Sequence, residues 1–124
     1  MRKKNPTLTP QELALMKVVW ERGPSTVRDV YEALLEDRHI AYTTVMTMMN
    51  VLERKGHVRK EAEGRSYRYH PVRPRGQVVG SMVREFVDRV FGGSAAPLLV
   101  HLVEDRRVTA KELDELARRI RSTK

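Results

Sequence analysis

Thr43, Thr44, Thr47 and Asn50 lie on one side of the stretch AYTTVMTMMNVLERKG, which runs from Ala41 to Gly56, if that stretch is helical. No charge interrupts that side until Glu53 and Arg54. An ordinary solvent-facing helix would use Lys, Glu and Arg there, which are better helix formers than Thr or Asn. Short hydroxyl and amide side chains do something the long charged ones cannot. They let a helix backbone come close to a duplex, donate to and accept from base edges, and set a methyl against a thymine methyl. Long charged side chains would hold the helix away or grip only phosphates. Thr43, Thr44 and Thr47 occupy the N-terminal half, the end that enters the major groove in helix-turn-helix docking. Asn50 follows one turn later, and the positive end of the helix favours nearby phosphates. The plainer alternative is that Thr43 or Thr44 only caps the helix.

Several residues nearby are candidates for the same duplex. Arg65, between Gly64 and Ser66, stands at the tip of an expected hairpin, within reach of a minor groove or a phosphate, or else is a solvated turn residue. Tyr67 is a second contact candidate, with sheet packing as its alternative; for Tyr69 packing is the better reading. Tyr42 has two roles open to it, a hydroxyl contact to phosphate or packing at the helix start. Lys55, Arg59 and Lys60 contribute general positive potential.

The elements that must position these residues follow from caps and periodicity. Thr9-Pro10-Gln11-Glu12 is a capping box with Pro at the first helical position. Leu13, Met16, Val19 and Trp20 then predict a core-facing stripe, and Gly23-Pro24 ends the helix. Thr26 and Asp29 open a second helix with Val27, Val30, Tyr31 and Leu34 inward. The third runs from near Tyr42, buries Val45, Met48, Met49 and Leu52, and closes at Gly56 in a left-handed C-cap. Two alternating segments, His57–Glu61 and Tyr67–Pro71, flank a Gly-containing turn and predict a β-hairpin. The expected fold is mostly α with a small β-hairpin wing: a basic arm over 1–8, a winged helix-turn-helix over 9–73 and a helical segment over 74–124.

In that last segment Val79, Met82, Val83, Phe86, Val87 and Val90 repeat at helical spacing, on a face too apolar to be left in water. Gly92-Gly93 ends the helix. Ala95–Glu104 is expected to be short and mostly buried, with Leu99 and Leu102 among its apolar residues. Thr109-Ala110-Lys111-Glu112 is another capping box, opening a last helix with Leu113, Leu116 and Ile120 inward. Helices this short make a poor core alone, and pairing with the same segment of a second chain solves the problem.

Composition agrees with a polyanion partner. The 124 residues hold 24 Lys and Arg against 16 Asp and Glu, a net charge of +8. Residues 1–76 carry 15 basic and 9 acidic residues, whereas 77–124 carry 9 and 7. The first part is suited to DNA and the second to another protein. Cysteine is absent, which excludes disulfides, thiolate metal sites and cysteine nucleophiles. His39, His57, His70 and His101 form no metal-ligand spacing and read as surface or strand residues. No Gly-rich phosphate loop or nucleophile turn is present, so neither an enzyme nor a cofactor is expected. MRKKNPTLTPQE has no apolar core, no stretch predicts membrane insertion, and the expected location is the cytoplasm.

The order Leu8-Thr9, Glu12, Met16, Val19-Trp20, then Val27-Arg28-Asp29-Val30, Ala41-Tyr42-Thr43-Thr44-Val45 and Leu52-Glu53-Arg54-Lys55-Gly56 resembles the penicillinase and methicillin-resistance repressors. Tyr67-Arg68-Tyr69 and Val90-Phe91-Gly92-Gly93 extend the resemblance, which runs from about Leu8 to Ile120. It implies a homodimeric repressor on an inverted-repeat, double-stranded DNA operator, with Thr43, Thr44 and Thr47 on the operator. It also implies that the wing touches the DNA backbone. One branch of this family answers copper through a C-terminal cysteine cluster, which this chain lacks. The β-lactam branch is relieved when a membrane sensor's protease cuts an Asn-Phe bond in the dimerisation segment. The matching dipeptide here is His101-Leu102, a departure that sets the protease link apart. Two rival readings are a winged-helix module that binds protein and a non-specific nucleic-acid binder. Aromatic or large aliphatic anchors on the third helix would mark the first. The face carries threonines instead, with Met46 and Val51 as exceptions.

Overall fold

The structure, a computed structural model, describes residues 8–123. The basic arm therefore lies outside the described residues except for Leu8, which is 4% exposed and belongs to the core. The order of elements is α1 (Pro10–Arg22), α2 (Val27–Leu34), α3 (Tyr42–Arg54), β1 (Val58–Glu63), β2 (Ser66–Pro71), α4 (Arg75–Phe91), α5 (Ala96–Glu104) and α6 (Ala110–Ser122). Two compact units divide between Met82 and Val83, inside α4.

The first unit is built by local signals that the packing then uses. Capping boxes start α1 at Thr9/Glu12 and α2 at Thr26/Asp29. In each, the cap hydroxyl accepts an N3 amide and the N3 carboxylate accepts the cap amide, so two unpaired donors are satisfied. Leu15, Met16, Val19, Val30, Leu34, Val45, Met49, Leu52, Val58 and Tyr69 meet in one core. The α1 stripe is turned from the expected one. Leu15 is fully buried while Leu13 is half-buried, because Glu12, Leu15, Met16 and Val19 form the inward line. The α3 helix ends as expected at a left-handed glycine, Gly56 with φ 86°. The His57 amide donates to Leu52 O at 2.9 Å and the Gly56 amide to Glu53 O at 3.1 Å, the paired bonds of a Schellman end. His57 is thereby carried inside: it is 3% exposed and precedes the strand, so it is neither a surface nor a strand residue.

The wing is an antiparallel pair in register from Val58↔Pro71 to Glu63↔Ser66, closed by Gly64-Arg65. Gly64, at φ 62°, takes the first central position, where the primed hairpin turns need positive φ. The wing is tied back to the helices through Ser25, whose amide donates to Tyr69 O at 3.0 Å and whose carbonyl accepts the Tyr69 amide at 2.7 Å. The Trp20 indole donates to Arg73 O at 3.0 Å, fixing the exit from β2. Val78, rather than the expected Val79, is the buried residue at the start of α4, and Met82 packs on the same core.

The second unit differs from expectation in burial, not in helical content. The α5 helix has no buried residue, although it was expected to be mostly buried. Leu99, Val100 and Val103 are exposed, and Leu102 is half-buried. On α6, Leu113 is half-buried and Leu116 and Ile120 are exposed, Ile120 at 73%, rather than inward. Along α4, Val87 is buried but Val83, Phe86 and Val90 are exposed. Too few layers exist within the described residues of this unit to cover three amphipathic helices. A groove of about 730 Å³, lined by Leu99, Leu113, Leu116, Ala117 and Ile120, is left open.

Met49 is the buried centre of the first unit. Met49→Ala is expected to lower its unfolding free energy by about 2–5 kcal/mol, read from urea melts followed by circular dichroism. A loss under about 1 kcal/mol would show that α3 is not held by this core.

Candidate nucleic-acid interface

The α3 helix has opposite faces with opposite duties. Val45, Met49 and Leu52 are fully buried, which turns Thr43, Thr44, Met46 and Thr47 outward. The N-cap is Ala41, and no side chain caps the helix. Thr43 and Thr44 therefore do not spend their hydroxyls on capping, and their side chains are exposed. The first-turn amides of α3 keep their donors directed outward, whereas α1, α2 and α6 close theirs with capping boxes. An exposed helix end of this kind complements negative charge.

Tyr42 sits at the start of the helix and is half-buried. Its ring meets Tyr31 edge-on, with centroids 5.3 Å apart and planes at 80°. The Arg28 guanidinium lies 5.5 Å from the Tyr42 centroid and also 3.6 Å from Glu32. The packing role is thus seen for Tyr42, and Arg28 joins the basic residues around the helix start. No sequence signal linked Arg28 to Tyr42, since they belong to different helices. Asn50 is half-buried and accepts a hydrogen bond from the Tyr69 hydroxyl at 3.3 Å. It is therefore partly committed to holding α3 against the wing, a role its sequence position did not reveal. Burial raises the Tyr69 hydroxyl pKa, with Glu53 adding to the rise, so the phenol stays a donor.

The wing presents Arg59, Lys60, Arg65 and Tyr67 to solvent. Glu63 is paired with Arg68 at 2.9 Å, and Glu61 shares a hydrogen bond with the His70 ring at 3.0 Å. Arg59 and Arg65 have no ion pair of their own among the salt bridges of the described residues. Lys60 rides over the Tyr67 ring at 4.6 Å, giving the exposed tyrosine a cationic cover.

One contact fixes the far end of α3. Lys55 Nζ donates to both Glu12 carboxylate oxygens, at 2.8 and 2.9 Å. Glu12 is 6% exposed and is also the carboxylate of the α1 capping box. Burial alone would raise its pKa, but the Lys55 ammonium and the Thr9 amide outweigh that and hold it below the ordinary glutamate range. A cation read from sequence as general positive charge is instead a clamp between α1 and α3.

Among the described residues, no cluster of three or more His, Asp or Glu could hold a metal. No single helix there is long and apolar enough to cross a membrane.

A three-helix core, an outward-facing third helix and a basic two-stranded wing define a winged-helix protein of the DNA-binding class. Residues 8–122 match the penicillinase repressor family, and the chain belongs to it. It is 44% identical over 109 residues to the transcriptional regulator BlaI of Mycobacterium tuberculosis, covering 86% of this chain and 78% of that one. The penicillinase repressor of Bacillus licheniformis is 25% identical over 114 residues, covering 92% and 89%. The solution structure of the DNA-binding domain of the repressor BlaI superposes with a TM-score of 0.54 at 30% identity, over 60% of this chain and 90% of that one. The B. licheniformis BlaI monomeric form, solved in complex with the blaP half-operator, gives 0.51 at 29% identity, over 60% and 92%. The chain is thus a sequence-specific DNA-binding transcriptional repressor.

Glu12→Gln tests the clamp. A carboxylate with a lowered folded pKa contributes stability that is present above its unfolded pKa and lost as pH falls through the folded one. The variant is expected to be less stable than the parent by about 1–3 kcal/mol near neutral pH. That gap should close in acid, as pH falls through the lowered folded pKa of Glu12 and both proteins come to carry a neutral side chain at position 12. Equal pH profiles from urea melts would remove Glu12 as the α1–α3 clamp.

Proposed function

We propose that two chains pair through residues of about 77–120 and place two α3 helices in major grooves about one turn, or a multiple of one turn, apart on an inverted-repeat operator. The observation that carries this reading is the uncharged outer face of α3, held outward by a fully buried inner stripe. Thr43, Thr44 and Thr47 are the base-reading residues, and Asn50 contributes from the edge of the wing. Tyr42 and the open helix end meet phosphate, and Arg65 with Tyr67 contacts the backbone through the wing. Met82, Val83, Phe86, Val87, Val90, Leu99, Leu102, Leu113, Leu116 and Ile120 form the dimerisation surface. Support comes from the apolar side chains left exposed on all three helices of the second unit. Pairing lets the second half-site bind at high effective concentration, so loosening the segment releases DNA without touching α3.

Relatives named penicillinase repressor and methicillin resistance regulatory protein support β-lactam resistance genes as the targets. Relief then comes from cleavage or loosening of the dimerisation segment, with a membrane sensor's protease as the partner. His101 and Leu102 lie within α5, so cleavage between them requires that helix to open locally. The protein acts in the cytoplasm and is not an enzyme.

Selection of bound duplexes from a random DNA pool, at two salt concentrations, tests the reading. An enriched inverted repeat is the expected result. Binding without enrichment, vanishing steeply with salt, would mean that the charge only grips phosphates. Phe86→Asp should lower affinity for the enriched repeat by roughly 100-fold or more while leaving the first unit folded. A Phe86→Asp protein that remains dimeric and binds normally would place the interface elsewhere.

A further inference from the structure

We propose that Met46 is a specificity-determining residue, reading a thymine 5-methyl group in each half-site. This deepens the operator-reading role given to α3 above and rests on it. Met46 is 40% exposed, the one large apolar side chain exposed on α3, beside a neutral, polar outer face. It stands three residues after Thr43 and four before Asn50, so these side chains are neighbours at the border between the outer face and the buried line of Val45, Met49 and Leu52. It takes no part in the core of the first unit. The unbranched thioether reaches further than a threonine and is polarisable, so it fills an irregular apolar contact well.

Only thymine, among the four bases, places a methyl group in the major groove, and apolar side chains recognise it there. A protein partner is the other possible occupant of an exposed methionine. Two features favour the duplex. The outward neighbours of Met46 one turn away are the polar Thr43 and Asn50, and the aromatic Tyr42 beside it is already packed by Tyr31 and Arg28 rather than free as a protein hot-spot anchor. The potential around α3 is positive, with Arg28 at its start, Arg54 at its end and Arg59 and Arg65 on the wing. A side chain without charge at this position gives up a guanine contact, since arginine and lysine are the residues that read guanine. The half-site should accordingly carry thymine, not guanine, opposite residue 46.

The test uses the full chain and the duplex enriched from the random pool. Each thymine of a half-site is replaced in turn by deoxyuridine, which lacks only the 5-methyl, and affinity is measured at fixed salt. The parent protein is expected to lose about fourfold at one or two positions, the factor for removing one buried methyl. Met46→Ala should bind the thymine duplex more weakly and show no further loss at those positions, while Met46→Leu keeps most of the discrimination. Alanine is a better helix former and the site is exposed, so the variants fold. Indifference of the parent to every deoxyuridine would overturn the proposal. So would a penalty that persists in Met46→Ala and disappears in Thr43→Ser or Thr47→Ser, which would assign the methyl to a threonine. A pool with no enriched sequence would instead remove the operator-reading function on which the proposal rests.

Discussion

The inward pull on Val45, Met49 and Leu52 governs everything the first unit does. A helix has one surface, and burying these three residues without residual exposure leaves α3 no rotational freedom about its axis. The outward face is then determined by subtraction, and Thr43, Met46 and Thr47 are what remains. The core also decides which ends of the helix are tied. Its C-terminal end is held by the Gly56 turn and by Lys55 on Glu12. Its N-terminal end carries no side-chain cap, so its peptide dipole is left to face whatever comes next.

Those fastenings differ in kind. The Schellman end and the capping boxes are local, made within one helix and its flanking turn. The Glu12–Lys55 pair is long-range and charged, and it joins the first helix to the third. Because Glu12 also completes the α1 cap, one carboxylate coordinates the start of one helix with the end of another. The Ser25–Tyr69 bridge and the Tyr69–Asn50 hydrogen bond do the same for the wing. The third helix and the wing thus share a tyrosine, which is a mechanical reason for them to hold together as one surface.

The second unit is built on another principle. The start of α6 has a complete box at Thr109 and the end of α5 a Schellman turn at Arg106, but the apolar sides of its helices are only partly covered. Arg106 adopts φ 60° without being glycine, which costs about 1 kcal/mol that surrounding structure must offset. Apolar area left on all three helices cannot be compensated within so short a segment.

The sequence by itself determined the helix starts, the left-handed glycine at position 56, the hairpin turn and the buried stripe of α3. Each depends on residues within a few positions of one another, where hydrogen-bonding geometry and periodicity act directly. It also determined the family, since the spaced motifs from Leu8 onward are covalently ordered and need no packing to be seen. Tertiary structure alone decided that Leu15 and Val78 turn inward rather than Leu13 and Val79, because a stripe two residues wide satisfies either rotation until a partner layer selects one. It alone decided that Lys55 clamps Glu12, that Asn50 answers Tyr69 and that Arg28 covers Tyr42. These pairs lie far apart in the chain, and only folding brings them together. Exposure of Leu116 and Ile120 belongs there too: a periodic apolar pattern states that a face seeks cover, but the cover itself is a matter of what lies across from it in space.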